Sequence, residues 1–153
     1  MVVSMVPALS GCGSKSAVTQ NVQSSHQARA LMQRVIGADI SESARGIHGS
    51  VKSVFTTVVD VRFSCSKDDF QKFLDSSEHL SSQLVVGNRT VVNTMSSEPW
   101  WNPDRLESVR GRTSRWETDE DSVPVYLMVG HVESTVDVTV YVATVLETLP
   151  KND

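Results

Sequence analysis

The sequence predicts an α+β fold, an antiparallel sheet of four or five strands with one or two helices packed on one face, and three features carry that reading. Two adjacent runs near the end of the chain, Val123 to Val132 and Val136 to Ala143, alternate apolar and polar residues, the period-two signature of half-buried strands. Phe55 to Cys65 alternates in the same way. Directly after it, Phe70, Phe73, Leu74 and Leu80 recur on one helical face, so a strand passes into a helix with almost no loop. Short connections between strands favour antiparallel pairing, and helices then cover the apolar face.

The first element expected is a short helix from about His26 to Ile36, because Ala28, Leu31, Met32 and Val35 share one stripe and Gly37 follows as a C-cap. Ser41 to Ala44 reads as a turn. Arg45 to Val51 reads as a weak strand with Ile47 and Val51 in one phase. In the next strand Phe55, Thr57, Val59, Val61, Phe63 and Cys65 share the inward side. Ser66-Lys67-Asp68-Asp69 then resembles a capping box, with acids placed where the helix dipole favours them. Leu84 to Val92 is apolar but is broken by Gly87-Asn88, a good two-residue turn. Arg112 to Glu117 can pair ahead of the closing hairpin, whose own turn falls at Glu133-Ser134-Thr135.

At 153 residues the chain can bury one core of its own. The net charge of −4 lacks the basic excess of a nucleic-acid binder, and the charged fraction is too ordinary for a disordered chain. Up to Cys65 there are six bases against three acids, and afterwards eight against fifteen. The later half therefore sets the acidic balance. Its densest acidic stretch, Glu117 to Asp121, reads as a solvated turn. No repeat of 20 to 50 residues occurs, and no apolar stretch approaches the roughly 20 residues that span a bilayer as a helix.

The opening Met-Val-Val-Ser-Met-Val-Pro-Ala-Leu-Ser-Gly-Cys ends in Leu9-Ser10-Gly11-Cys12, which resembles the bacterial lipoprotein signal, the lipobox, at all four positions. That resemblance implies a diacylglyceryl group on the Cys12 thiol, cleavage just before it, and attachment to a bacterial cell membrane or outer membrane on the side away from the cytoplasm. A cysteine is needed because its thiolate takes the lipid, and more than one acyl chain is needed for stable anchoring. Signals of this family begin with a basic residue and a longer apolar run. Here nothing basic precedes Cys12 and Ser4 and Pro7 interrupt the run, so the true start is expected upstream of Met1 or Met5. The stretch from Gly13 to Ser25 is Ser/Gln-rich and without hydrophobic periodicity, like the tether that lipoproteins place between membrane and domain. The expected organisation is a truncated signal over 1–11, lipid attachment and tether over 12–25, one α+β domain over 26–149, and a tail over 150–153.

With Cys12 taken by lipid, Cys65 is left on the inward phase of its strand, where a thiol packs as a small hydrophobe. His26, His48, His79 and His131 lie far apart with no ligand spacing, so neither a metal nor a cofactor is expected. His131 reads as a hydrogen-bonded edge histidine, and Asp68-Asp69 as a helix start rather than a catalytic pair. No nucleophile motif or phosphate-cradling loop is present.

The chemistry worth testing concentrates in Glu98-Pro99-Trp100-Trp101-Asn102-Pro103-Asp104-Arg105 and in Arg110, Arg112, Arg115 and Trp116, which together hold all three tryptophans. Neighbouring Trp in an extended segment point oppositely, so one is expected to anchor the loop and the other to stay partly exposed. Trp beside Arg suits stacking and cation-π recognition of sugars, peptides or proteins. Trp100, Trp101, Arg105 and Trp116 are therefore the candidate contacts, and the competing reading is that both adjacent rings plug one end of the sheet. The Trp100-Trp101 loop ahead of a closing hairpin resembles small uncharacterised bacterial envelope lipoproteins, a resemblance that implies no particular activity. The functional expectation is a monomeric, non-enzymatic envelope module that binds a protein or wall component, with no nucleic acid; the alternative is a small envelope hydrolase whose site forms only in the fold.

Overall fold

The structure is a computed structural model, and it describes residues 18–80, 83–89, 98–117, 122–132 and 135–147. The lipobox with Cys12, the start of the tether, the acidic turn at 118–121 and the tail at 150–153 lie outside the described residues.

The predicted class holds: seven antiparallel strands form one sheet and two helices pack on it. In chain order the elements described are β1 (Val18–Val22), α1 (Ser25–Ile36), β2 (Arg45–Ser53), β3 (Thr57–Cys65), α2 (Lys67–Asp75), β4 (Val85–Val86), β5 (Glu107–Glu117), β6 (Ser122–His131) and β7 (Val138–Leu146), with a 3-10 turn at Pro103–Arg105 before β5. The sheet order is β1-β2-β3-β7-β6-β5-β4. Seven strands replace the four or five expected. The two extra ones are the edges, and neither carries a strong apolar signal. β1, Val-Thr-Gln-Asn-Val, runs antiparallel to β2 from Val18 opposite Ser53 to Val22 opposite Gly49. An edge strand needs only backbone pairing on one side, so polar residues do not exclude it. This corrects the tether reading over 18–25, since Ser24 also caps α1 by accepting a hydrogen bond from the Gln27 amide. β4 is two residues long.

Both helices are bounded as their caps dictate. Gly37 closes α1 in the left-handed region, at φ 64, a conformation that suits glycine. The Ser66 hydroxyl accepts from the Asp69 amide at the start of α2, and Asp68 and Asp69 fill its first turn. α2 ends at Asp75, before the Leu80 that the apolar stripe included, yet Leu80 is fully buried beyond it. Phe55 departs from its expected inward position: it is 87% exposed in the turn before β3, which starts only at Thr57.

The two faces of the sheet bury different things. On one, Leu31, Met32, Val35 and Ile36 of α1 and Phe73 of α2 pack on Val59, Val61 and Phe63 of β3 and on the inward valines of β6 and β7. Cys65 joins this core, and burial, followed by the nearby Asp69 and Asp137 charges, pushes its thiol up to about 12. On the other face no helix lies among the described residues, and the Trp loop covers it with Trp101, Leu106 and Val109 over Met128, Tyr141 and Ala143.

Candidate functional site

The Trp loop lies over the centre of this second face because Trp101 has an aromatic partner there. Trp101 is 5% exposed and meets Tyr141 edge-to-face, with ring centroids 5.1 Å apart and planes at 90°. The Trp101 amide donates to the Glu98 carbonyl, so the chain turns tightly. Trp100, half-buried, meets Trp101 edge-on at 5.7 Å. Its indole stacks on the His48 ring, 5.5 Å between centroids and 14° from parallel.

Register explains why these groups meet. His48 of β2 sits opposite Arg62 of β3, and Arg62 sits opposite Tyr141 of β7, so the three side chains project from one face. The Arg62 guanidinium lies 5.8 Å from the centre of the Tyr141 ring, within the range of a cation-π contact. Its Nε is buried with no hydrogen-bond partner among the described residues. Partial burial and then the Arg62 charge lower the His48 pKa, which keeps the stacked imidazole neutral near pH 7. Towards the end of the sheet the same face carries Arg45, Ser64 and Thr139. These residues line an open depression of about 630 Å³ together with Arg62 and Asp137, and the Ser64 and Thr139 hydroxyls bond to each other at 3.0 Å.

Two of the four candidate contacts come together. Trp101 is the anchor, and Trp100 presents the accessible ring. Arg105 is exposed in the 3-10 turn that follows the loop. Trp116 lies near the far end of β5, opposite Val123 of β6, away from the loop that enters at Glu107, and its side chain is outside the described residues. Arg62 and Tyr141 are not singled out by the sequence, and His48 is noted there only as a scattered histidine, because their meeting depends on pairing between strands that local patterns do not specify.

The remaining candidates have structural roles. His131 Nδ1 lies 3.0 Å from the Thr135 carbonyl and 3.2 Å from that of Asp137. Carbonyl oxygens only accept, so this nitrogen carries the proton. Asp69 accepts from the Ser43 hydroxyl at 2.5 Å and from Lys72 at 3.1 Å, and these bonds, Ser43 first, hold its carboxyl below the usual range. Among the described residues no group of three His, Cys, Asp or Glu is placed to hold a metal, and no helix is long and apolar enough to cross a membrane. Compared with protein-family models, curated proteins and solved structures, the chain matches none of them.

Proposed function

We propose that this chain is a lipid-anchored bacterial envelope protein, held to the membrane through Cys12, whose folded domain is a non-enzymatic module that binds an envelope protein or a wall component. The observation that carries the binding role is the Trp100 ring, stacked on His48, with Arg62 opposite His48 in the adjacent strand. A ring held on one side by an imidazole and seated on a buried Trp101 loses little freedom when a second flat group or a sugar meets it, which favours recognition. Arg adds a directional charge to the same platform. The anchor rests on Leu9-Ser10-Gly11-Cys12 alone. No arrangement among the described residues favours the hydrolase alternative, since the cavity beside His131 is lined by no acidic side chain.

Two measurements test this. Mass spectrometry of the protein made in a bacterium from its native upstream sequence is expected to find an acylated Cys12 at the mature N-terminus, lost in Cys12→Ala. Retention of the soluble domain on isolated cell envelopes is expected to fall by about tenfold or more in Trp100→Ala, in the range of a binding hot spot. An unacylated, intact N-terminus refutes the anchor, and unchanged retention refutes the platform.

A further inference from the structure

The helix-covered face holds a second site, independent of both the anchor and the Trp100 platform. Where α2 crosses the end of the sheet, a cavity of about 300 Å³ remains between them. Phe70 and Leu74 of α2, Leu84, and Val129 and Val138 of the sheet give it an apolar floor. Phe70, Leu74 and Leu84 are only partly buried. These side chains flank the main core without closing over this space. The polar groups of the lining include Lys67, Arg110 and His131, and no carboxylate.

Acids that neighbour the lining in sequence or register, among them Asp68, Asp69, Glu107 and Asp137, do not line it. Asp69, two residues after Lys67 in α2, is held by Ser43 and Lys72. Glu107 is in register with His131 but does not line the cavity. His131 gives its Nδ1–H to two carbonyls, so the Nε2 of its neutral ring only accepts and it lines the cavity without contributing a donor. The backbone is also unusual here. Ser108, in the same lining, is the only residue other than glycine with positive φ among those described, at 51. It sits where the pairing of β5 with β6 shifts register between Glu107 and Arg110. Left-handed backbone is unfavourable at a residue with a Cβ, and bulges of this kind re-aim side chains next to sites. Ser108 and Arg110 both reach the cavity through it, while Val109 between them packs on the opposite face under the Trp loop.

We propose that this cavity binds a small amphiphilic oxyanion, with its apolar body against Phe70, Leu74, Leu84 and the two valines and its anionic head at Lys67 and Arg110. At roughly 30 Å³ for each non-hydrogen atom, the packing of liquid water, the volume takes on the order of ten such atoms, the size of an eight-carbon carboxylic acid. A head of this type supplies the opposite charge that the lining lacks, and the apolar floor rejects ions without a hydrocarbon body.

The test is a calorimetric and NMR titration of the 153-residue chain with octanoate, octyl phosphate, 1-octanol and acetate, all below micelle-forming concentration. Octanoate or octyl phosphate is expected to saturate at one site and to shift the methyl signals of Leu84, Val129 and Val138; the tighter of the two identifies the head group as carboxylate or phosphate. Arg110 and Lys67 are exposed, so Arg110→Gln and Lys67→Gln leave the fold intact and are each expected to weaken binding about tenfold, as loss of a charged hydrogen bond does. Acetate is expected not to bind, and 1-octanol to bind weakly and equally to all variants. Equal affinity for octanol and octanoate, insensitivity to both substitutions, or shifts confined to other residues would overturn the proposal.

Discussion

Truncating the two adjacent tryptophans one at a time separates anchor from platform. Trp101 is 5% exposed, and in the second-face cluster it touches the edge of Tyr141 and lies with Leu106, Val109 and Met128. A Trp buries about 150 to 250 Å²; at about 25 cal/mol per Å² its loss removes roughly 4 to 6 kcal/mol. That agrees with the measured range of about 3 to 5 kcal/mol for Trp→Ala in cores. Trp100 is half-buried and loses mainly its stack on His48, worth about 0.5 to 1.5 kcal/mol beyond area, so Trp100→Ala is expected to cost about 1 to 2 kcal/mol. For a domain of this size each kcal/mol lowers Tm by about 3 to 5 °C. Thermal melts followed by circular dichroism should therefore show Trp101→Ala down by about 10 to 20 °C and Trp100→Ala by less than about 10 °C. Urea titrations give the free energies directly. Equal and large losses would make both rings plugs and remove the basis of the recognition platform. A loss under about 1 kcal/mol at Trp101 would refute the anchor.

Three further outcomes follow from other parts of the molecule. Deleting everything through Ser24 removes the β1 pairing with β2 and the α1 cap, and should cost at least about 2 kcal/mol in urea unfolding, since a cap alone contributes about 1; an unchanged midpoint would mean β1 contributes nothing. The Cys65 thiol, with its folded value raised from 9.0 to about 12, keeps its proton while an unfolded chain loses it, so the buried thiol's contribution is complete below pH 9 and declines as pH rises towards 12. Thiol reagents at pH 8 should label it only after unfolding; fast labelling of the native protein would contradict its burial. A Cβ on Gly111 would stand 2.3 Å from the Asn88 carbonyl oxygen, so Gly111→Ala should displace the short β4 from β5 and destabilise the domain, and a melt identical to the parent would show that this contact is loose.

The parts of the fold legible in the sequence are those whose aliphatic residues keep to one phase, as they do even in β7, which is buried on both faces. β3, β6 and β7 alternate because their inward valines meet helices, and α2 shows its start because Ser66 and the acids after it satisfy the first-turn amides. β1 was illegible because its neighbours across the sheet, Ser50, Lys52 and Ser53, are themselves polar or partly exposed, and its pairing depends on the backbone. The start of β5 was hidden by the irregularity between Glu107 and Arg110 and by arginines. Arg112, 8% exposed, is buried because it donates to the Leu80 and His79 carbonyls, which no local pattern announces. The expected asymmetry appears, with Trp101 buried and Trp100 half-buried, but not because an extended segment points neighbours oppositely: the segment turns instead of extending, and the two rings meet edge to face over the same side of the sheet. Their partners His48 and Tyr141 were not legible, because those lie on strands β2 and β7, which the sheet order brings together only through β3.

That sheet order also has a kinetic meaning. Strands β1 to β3 pair with their immediate neighbours in sequence, and so do β4 to β7, so each half of the chain is a meander that can form from nearby residues. The halves meet along a single seam, β3 against β7, which joins Thr57 to Leu146 and Cys65 to Val138, the longest separations in the sheet. Closing so large a loop is an entropic step that precedes its reward. Folding speed should thus be governed at Val59, Val61, Val140 and Val142 along the seam, where weakened packing slows folding, whereas changes in the Trp loop or the edge strands mainly hasten unfolding. The same seam marks where the chain could be divided, between α2 and β4, into two fragments that reassemble by completing one sheet.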